Sequence, residues 1–270
     1  MEKMVLYDGV VYPAGSALVG SENRSLRYGD GLFETMKVYR ETILLGNLHF
    51  ERLRKGLAAL HFDIPPHFSP EQEILRLCRL NEHPLARVRL NVFRGDAETQ
   101  THFIIETWPL EHLLTPADAD GLEIGVFPDG RKAIDAYSGL KSNNYLVYLM
   151  GSRWARQNGL TECLILNQHG RIADGGISNL FYVRDGVVYT PPLSEGGIDG
   201  VMRRHLLARL PGWGYPVREE AVSPGALLEA DELFVTNAIT GIRWVRRMVD
   251  REYGHTLSAA VRDLLELEFS

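Results

Sequence analysis

Hydrophobic positions alternate with polar ones at the start of the chain, then change to helical spacing near residue 47. "KMVLYDGVVYPAG" predicts two short strands around Asp8-Gly9, a dipeptide suited to a tight hairpin turn. "LFETMKVYRETILLG" predicts a second hairpin. In "NLHFERLRKGLAALHF", Leu48, Leu53, Leu57 and Leu60 recur as on one helix face, with Asn47 placed to serve as N-cap. "SPEQEILRLCRLN" predicts another helix, opening at Ser69 with Pro70 in its first turn. Two strands, "ARVRLNVFRG" and "THFIIETWPL", complete this half.

Periodicity lapses over residues 109–120, "PLEHLLTPADAD", which reads as a linker. The segments "LEIGVFP", "ECLILNQHGRIAD", "NLFYVRDGVVYTPP" and "DELFVTNAITGIRWVRRMV" that follow are strand-rich. Helices are expected near 142–158, 200–210 and 257–268. Strands and helices mix without regular βαβ alternation, so the fold class is α+β. The domains expected are a smaller N-terminal α/β one over 1–108 and a larger strand-rich one over 121–270.

Composition adds limits rather than answers. Hydrophobic and charged shares of 45% and 24% are those of a soluble globular protein. A net charge of -6 argues against a nucleic-acid partner, which calls for a basic face. Cys78 and Cys163 sit in apolar segments and read as reduced core residues, so neither a disulfide framework nor a metal site is expected. The N-terminus lacks the order of a signal peptide, and no apolar run approaches membrane-spanning length. A cytoplasmic protein with no membrane partner is the expectation.

Four stretches carry candidate chemistry, and each has an ordinary explanation when taken alone. Basic charge comes from 24 arginines and only five lysines, and no lysine follows Lys141 in "GLKSNNYLVYLM". A lysine held in a partly desolvated pocket forms Schiff bases with carbonyls; a solvated lysine at a helix start does nothing. "GRIADGGISNLFYV" exposes Asp174 at a glycine-rich turn, either to hold a proton on a ring nitrogen or merely to turn the chain. In "LSEGGIDGVMRRHLLARL", Gly200 precedes a helix whose first amides, at Val201 and Met202, form an anion site or nothing more. "LFVTNAITGI" ends a strand in small polar residues, a phosphate cradle or a plain loop exit.

The order of these four stretches resembles the second domain of the fold-type IV pyridoxal-phosphate enzymes, which include branched-chain and D-amino acid aminotransferases and aminodeoxychorismate lyases. "NRSLRYGDGLFETMKVY" resembles the N-terminal "R…YGDG.FET" segment of that family, and "LHFERLRKGL" its His-x-x-Arg-Leu helix. The resemblance implies a two-domain fold of the D-amino acid aminotransferase type and pyridoxal 5'-phosphate as cofactor. It implies that Lys141 forms the Schiff base and shuttles the substrate proton. It places Arg52 on the cofactor phosphate, together with the amides of Val201 and Met202 and the turn at Asn237 and Ala238. Asp174 falls where the family has glutamate, paired with the pyridine nitrogen; the shorter side chain implies that the loop moves in or that water intervenes. Tyr28 and Phe33 fall where the substrate pocket is lined. A site loop from a neighbouring subunit implies a homodimer.

The reaction is narrowed by detail. Asn144 stands three residues after the lysine, as in D-amino acid aminotransferases and aminodeoxychorismate lyases. "GVMRR" and "TNAI" resemble the lyase forms of their motifs. Aminodeoxychorismate lyase, which yields 4-aminobenzoate and pyruvate, is therefore the leading expectation, and amino-acid transamination the alternative. An inactive cofactor-binding relative is disfavoured by the retained Lys141 and Asp174. An oxidoreductase is disfavoured because no Gly-x-Gly-x-x-Gly strand-to-helix turn is present. After "FRG" comes "DAETQTHF", without arginine, so Arg27, Arg89 or Arg94 is left to meet a substrate carboxylate, and Arg94 is the candidate taken.

Overall fold

The structure is a computed structural model that describes residues 2–66, 68–114 and 120–270. The chain forms two compact units, Met1–Leu113 with Leu140–Asn144, and Leu114–Gly139 with Tyr145–Ser270. Leu140–Asn144 thus joins the first unit, although it lies in the half of the chain expected to form the second domain. Of the expected linker, residues 115–119 lie outside the described residues.

The first unit contains β1 (Met4–Tyr7), β2 (Val10–Pro13), α1 (Arg24–Tyr28), β3 (Gly31–Tyr39), β4 (Thr42–Ile43), α2 (Gly46–Ala59), α3 (Pro70–Leu80), β5 (Leu85–Arg94) and β6 (Thr101–Pro109). Its six strands form one antiparallel sheet in the order β2-β1-β6-β5-β3-β4. The first hairpin turns on Asp8 and Gly9, both left-handed at φ 48° and 82°, the geometry that matches strand twist. Arg40 and Glu41 make the same turn between β3 and β4 without a glycine, at φ 47° and 60°.

Alternate residues of β3 and β5 point to one face, where Leu32, Met36, Val88 and Leu90 pack against Leu53 and Leu57 of α2 and Ile74 and Leu77 of α3. Each such aliphatic side chain contributes about 1.5–3 kcal/mol on burial. The expected N-cap at Asn47 is corrected. α2 begins at Gly46 with Leu45 as its cap at φ 55°, and no side chain caps it. The tight exit from β4 starts the helix early and leaves Asn47 inside its first turn.

The second unit contains β7 (Leu122–Lys132), α4 (Leu146–Gln157), β8 (Glu162–Asn167), β9 (Ile172–Gly175), β10 (Asn179–Arg184), β11 (Val187–Thr190), α5 (Val201–Arg209), β12 (Val217–Glu219), α6 (Pro224–Leu227), β13 (Glu232–Asn237), β14 (Gly241–Met248), β15 (Arg251–Glu252) and α7 (Thr256–Phe269). Its mixed sheet runs β12-β11-β10-β13-β14-β7-β8-β9, with β15 paired to β14. β14 with β7, β7 with β8, and β11 with β12 are the parallel pairs. β9, last in that order, leads within three residues into β10 near the other end, so the sheet curls. β8 is buried along its whole length and β13 nearly so, as expected of strands covered on both faces. Among the described residues no helix is long and apolar enough to cross a membrane.

Candidate functional site

In the first unit, Leu140–Asn144 lies along the start of β3. Phe33 N donates to Lys141 O at 2.9 Å, Asn143 N donates to Gly31 O at 2.9 Å, and Leu32 and Ser142 form an antiparallel bridge. Residues paired across such a ladder share a face. Lys141 accordingly rises beside Phe33, with Nζ 4.3 Å from the ring centroid. The Arg89 guanidinium stands 4.0 Å from the same centroid, because β5 places Asn91 opposite Phe33 and Arg89 opposite Thr35. Two cations thus share one buried aromatic ring.

The glycines of "YGDG" follow from this packing. A Cβ on Gly31 would stand 2.5 Å from Asn143 Nδ2, and one on Gly29 would stand 2.8 Å from Asn144 Oδ1. Gly29 is also left-handed, at φ 67°. Asn143 Nδ2 donates to Asn91 Oδ1 and Ser25 Oγ, each at 3.1 Å. The N-terminal motif and the lysine motif interlock.

Arg52 lies on the face of α2 turned to β3. Its Nε donates to Glu34 Oε1 at 2.7 Å and its Nη2 to Glu34 Oε2 at 2.5 Å, a bidentate pair. His49, three residues earlier on the same face, meets Glu34 Oε2 through Nδ1 at 2.7 Å. Glu34 is 1% exposed and His49 0%. Burial alone would raise the Glu34 carboxyl, but the Arg52 charge and the His49 hydrogen bond outweigh it and bring its pKa down to about 2. Burial lowers the pKa of His49, so the ring is neutral and donates from Nδ1. His49 Nε2 is buried with no hydrogen-bond partner among the described residues. Neither Glu34 nor His49 is among the residues expected from sequence. The signal for them is present in the glutamate of "FET" and the His-x-x-Arg spacing.

In the second unit, Asp174 is 3% exposed on β9, not exposed at a turn as expected. The pairing of β9 with β8 places it opposite Ile165, which draws the strand into the sheet. Its Oδ1 accepts from Asn179 Nδ2 at 2.9 Å, and its Oδ2 from Ile198 N at 2.9 Å and Tyr148 Oη at 3.2 Å. Burial and the neighbouring Asp174 carboxylate raise Tyr148 well above the usual phenol value, so its hydroxyl remains a donor. The turn after Asp174 is built on a second buried carboxylate, Glu162, which accepts from Gly176 N at 3.0 Å and Ser178 Oγ at 3.1 Å. Lys132, which reads from sequence as part of a polar turn, ends β7 with Nζ 5.1 Å from the Tyr148 ring and donates to Ser138 O at 2.6 Å.

α5 starts at Val201 with Gly200 as N-cap and no side-chain cap; Val201 and Met202 are each 2% exposed. A Cβ on Gly200 would stand 1.7 Å from Asn179 Oδ1. Beyond β13, Asn237 Oδ1 accepts from Ile239 N at 2.9 Å, Thr240 N at 2.8 Å and Thr240 Oγ1 at 3.1 Å. This Asx-type turn occupies the donors of Ile239 and Thr240, which the sequence offers to a phosphate. Ala238 lies within the turn, and the neighbouring Thr236 hydroxyl is buried without a hydrogen-bond partner among the described residues.

Phe33 is buried, whereas Tyr28, at the end of α1, is 61% exposed. Arg94 does not suit a substrate carboxylate. It donates to Leu60 O and Glu98 O, each at 2.5 Å, and His61 O at 3.0 Å, pairs with Asp30 at 3.3 Å and lies over Phe62. Arg27 pairs with Glu22 at 2.9 Å and donates to Ser21 O. Of the three arginines, Arg89 is the one that, like Lys141, lies against Phe33.

The amino-transferase class IV family model matches residues 31–248. The aminodeoxychorismate lyase of Bacillus subtilis (strain 168) is 27% identical over 264 residues, covering 93% of this chain and 88% of that protein. The solved 4-amino-4-deoxychorismate lyase of Pseudomonas aeruginosa is 30% identical with a TM-score of 0.85, covering 97% of each chain. The branched-chain amino acid aminotransferase of Escherichia coli, also solved, is 24% identical with a TM-score of 0.89, covering 100% of this chain and 95% of that one. A further branched-chain amino acid aminotransferase, from T.th. and solved with pyridoxamine 5'-phosphate, is 22% identical with a TM-score of 0.88, covering 98% of this chain and 93% of that one. These likenesses span both sheets and show the fold-type IV architecture. With its lysine segment bound along β3, its Arg52–Glu34 pair and this full-length agreement in fold, the chain belongs to the class IV amino-transferase family.

Proposed function

We propose that this enzyme uses pyridoxal 5'-phosphate to act on an amino group, and that its reaction is the cleavage of 4-amino-4-deoxychorismate to 4-aminobenzoate and pyruvate. The observation that carries the reading is that Lys141 Nζ and the Arg89 guanidinium both lie against the Phe33 ring, an amine and a cation suited to a carboxylate about one aromatic side chain. The residues present fit the cofactor. Arg52, a guanidinium 10% exposed and fixed by Glu34, suits a phosphate. The start of α5, uncapped by any side chain, offers the amides of Val201 and Met202 to an anion. The buried hydroxyl of Thr236, without a hydrogen-bond partner among the described residues, precedes Asn237 and Ala238, whose turn is proposed, with the start of α5, for a phosphate. Asp174, held as an acceptor by three donors, suits a protonated ring nitrogen.

When bound, the cofactor supplies an aldehyde that condenses with amines and a ring that accepts electrons from a deprotonated carbon. Lys141 is the residue that would hold it. Lys141 Nζ then removes the proton from the amine-bearing ring carbon of the substrate. Asp174 keeps the ring nitrogen protonated, and Tyr148, Asn179 and the Ile198 amide keep Asp174 oriented. Phe33 lines the substrate side and Arg89 takes a substrate carboxylate. The electron pair left at the amine-bearing carbon completes the aromatic ring as the bond between the neighbouring ring carbon and the ether oxygen breaks, and the departing enolate takes up a proton at carbon to leave as pyruvate.

The lyase reading is supported by "GVMRR", "TNAI" and the likeness to both lyases. Transamination is the second reading, favoured by the likeness to the branched-chain enzymes. The test is 4-aminobenzoate formation from aminodeoxychorismate without any added keto acid, with the yellow absorbance persisting through many turnovers. Rapid bleaching by one amino acid, reversed by a keto acid and with no 4-aminobenzoate formed, would make the protein an aminotransferase.

A further inference from the structure

Around Arg52 the first unit buries more polar chemistry than a single phosphate contact requires. Glu34 takes one edge of the guanidinium through Nε and Nη2 and so turns the Nη1 edge away from itself. His49 also fixes Glu34, donating to the same oxygen that accepts Nη2. The carboxylate and imidazole are fully buried, on a strand and a helix that form one core. An arginine held this way keeps one rotamer out of many, before any ligand arrives.

We infer that Glu34 and His49 are positioning residues, which hold Arg52 in the orientation that receives the cofactor phosphate. This rests on the reading of Arg52 as a phosphate ligand. The alternative is that Glu34 is a plain counter-ion. A carboxylate paired with the arginine that receives a phosphate dianion repels that dianion, so a Glu34 that served only as counter-ion would weaken phosphate binding, and its removal would tighten it. A positioning Glu34 gives the opposite sign.

The experiment titrates the full chain, freed of cofactor, with pyridoxal 5'-phosphate and separately with pyridoxal, which lacks the phosphate, following absorbance. Glu34→Gln is expected to lower the preference for the phosphorylated form about tenfold, the scale of a charge-assisted contact. Pyridoxal affinity should stay within about twofold of wild type, on the scale of a rim contact. Glu34→Asp, which keeps the charge but shortens the reach, should lose the preference as well, and it serves if the glutamine variant does not fold. In an Arg52→Ala background, Glu34→Gln should leave the preference unchanged or raise it. A preference that is unchanged or increased in both Glu34 variants overturns the inference, as does an equal loss for both ligands. Arg52→Ala separates the two levels. If it leaves the preference intact, the phosphate reading itself fails; if it lowers the preference while the Glu34 variants do not, only the positioning role fails.

Discussion

Asn179 Oδ1 occupies the space that a side chain at Gly200 would need, 1.7 Å from an ideal Cβ, while its Nδ2 donates to Asp174 Oδ1 and Ile198 O, each at 2.9 Å. One buried amide thus joins the Asp174 carboxylate to the approach to α5. Gly200→Ala must displace that amide. Overpacking and the loss of two buried hydrogen bonds are expected to cost about 2–4 kcal/mol. Urea unfolding of the variant measures this, and a midpoint equal to wild type would show that the loop yields without moving Asn179.

Borohydride reduction of the purified yellow protein is expected to fix the cofactor to Lys141. Lys132 is the other lysine that follows β6, and it is committed to Ser138 O. Peptide mass spectrometry locates the adduct; one found on Lys132, or none, would remove Lys141 from its proposed role.

Asp174→Asn is expected to retain the cofactor and lose turnover by at least about a hundredfold, the usual scale for removing an electrostatic partner of the reacting group. The amide cannot accept from all three of the donors that now surround the carboxylate, so a stability loss of about 1–3 kcal/mol should accompany it. Steady-state rates and the retained absorbance decide the matter: normal turnover would mean that another group serves the ring nitrogen.

The Glu34–His49 pair predicts an acid limb of stability with a defined sign. Glu34 has a folded pKa lowered from 4.5 to about 2, so it stabilises fully above its unfolded value. That contribution, about 3 kcal/mol, is lost as pH falls from 4.5 towards 2. His49, also lowered, takes up its proton more readily when unfolded, so stability begins to decline as pH drops below 6.5. Unfolding free energies of wild type and of Glu34→Gln/His49→Gln, measured from pH 7 to pH 3, should converge as the pH falls. Parallel curves would show that neither group titrates with folding.

What can be read from the sequence, and what cannot, divides along the range of the interactions. Asp8-Gly9 specifies its own turn, and Pro70 its helix start, because both act through local backbone preference. The cap of α2 escapes such a reading because Leu45 adopts a left-handed conformation that its side chain does not favour, imposed by the hairpin before it. Arg94 looks available in sequence because its carbonyl partners, at Leu60 and His61, are distant along the chain. Asp174 looks exposed because Asp-Gly favours turns, yet strand pairing buries it. The ordered motifs single out Lys141 and Arg52 for their proposed roles; Glu34 and His49, buried against Arg52, come into view only with the fold.

The placement of Leu140–Asn144 along β3 has a consequence for how the chain is made. Everything else in the first unit precedes residue 114, so during synthesis that unit waits for a short strap that emerges much later. Until then the start of β3 has an open backbone edge at Gly31 and Phe33, the kind of edge that pairs with whatever strand is near. The segment that closes it is the one that carries Lys141. Sealing the nascent sheet and placing the Lys141 amine against Phe33 are therefore one event.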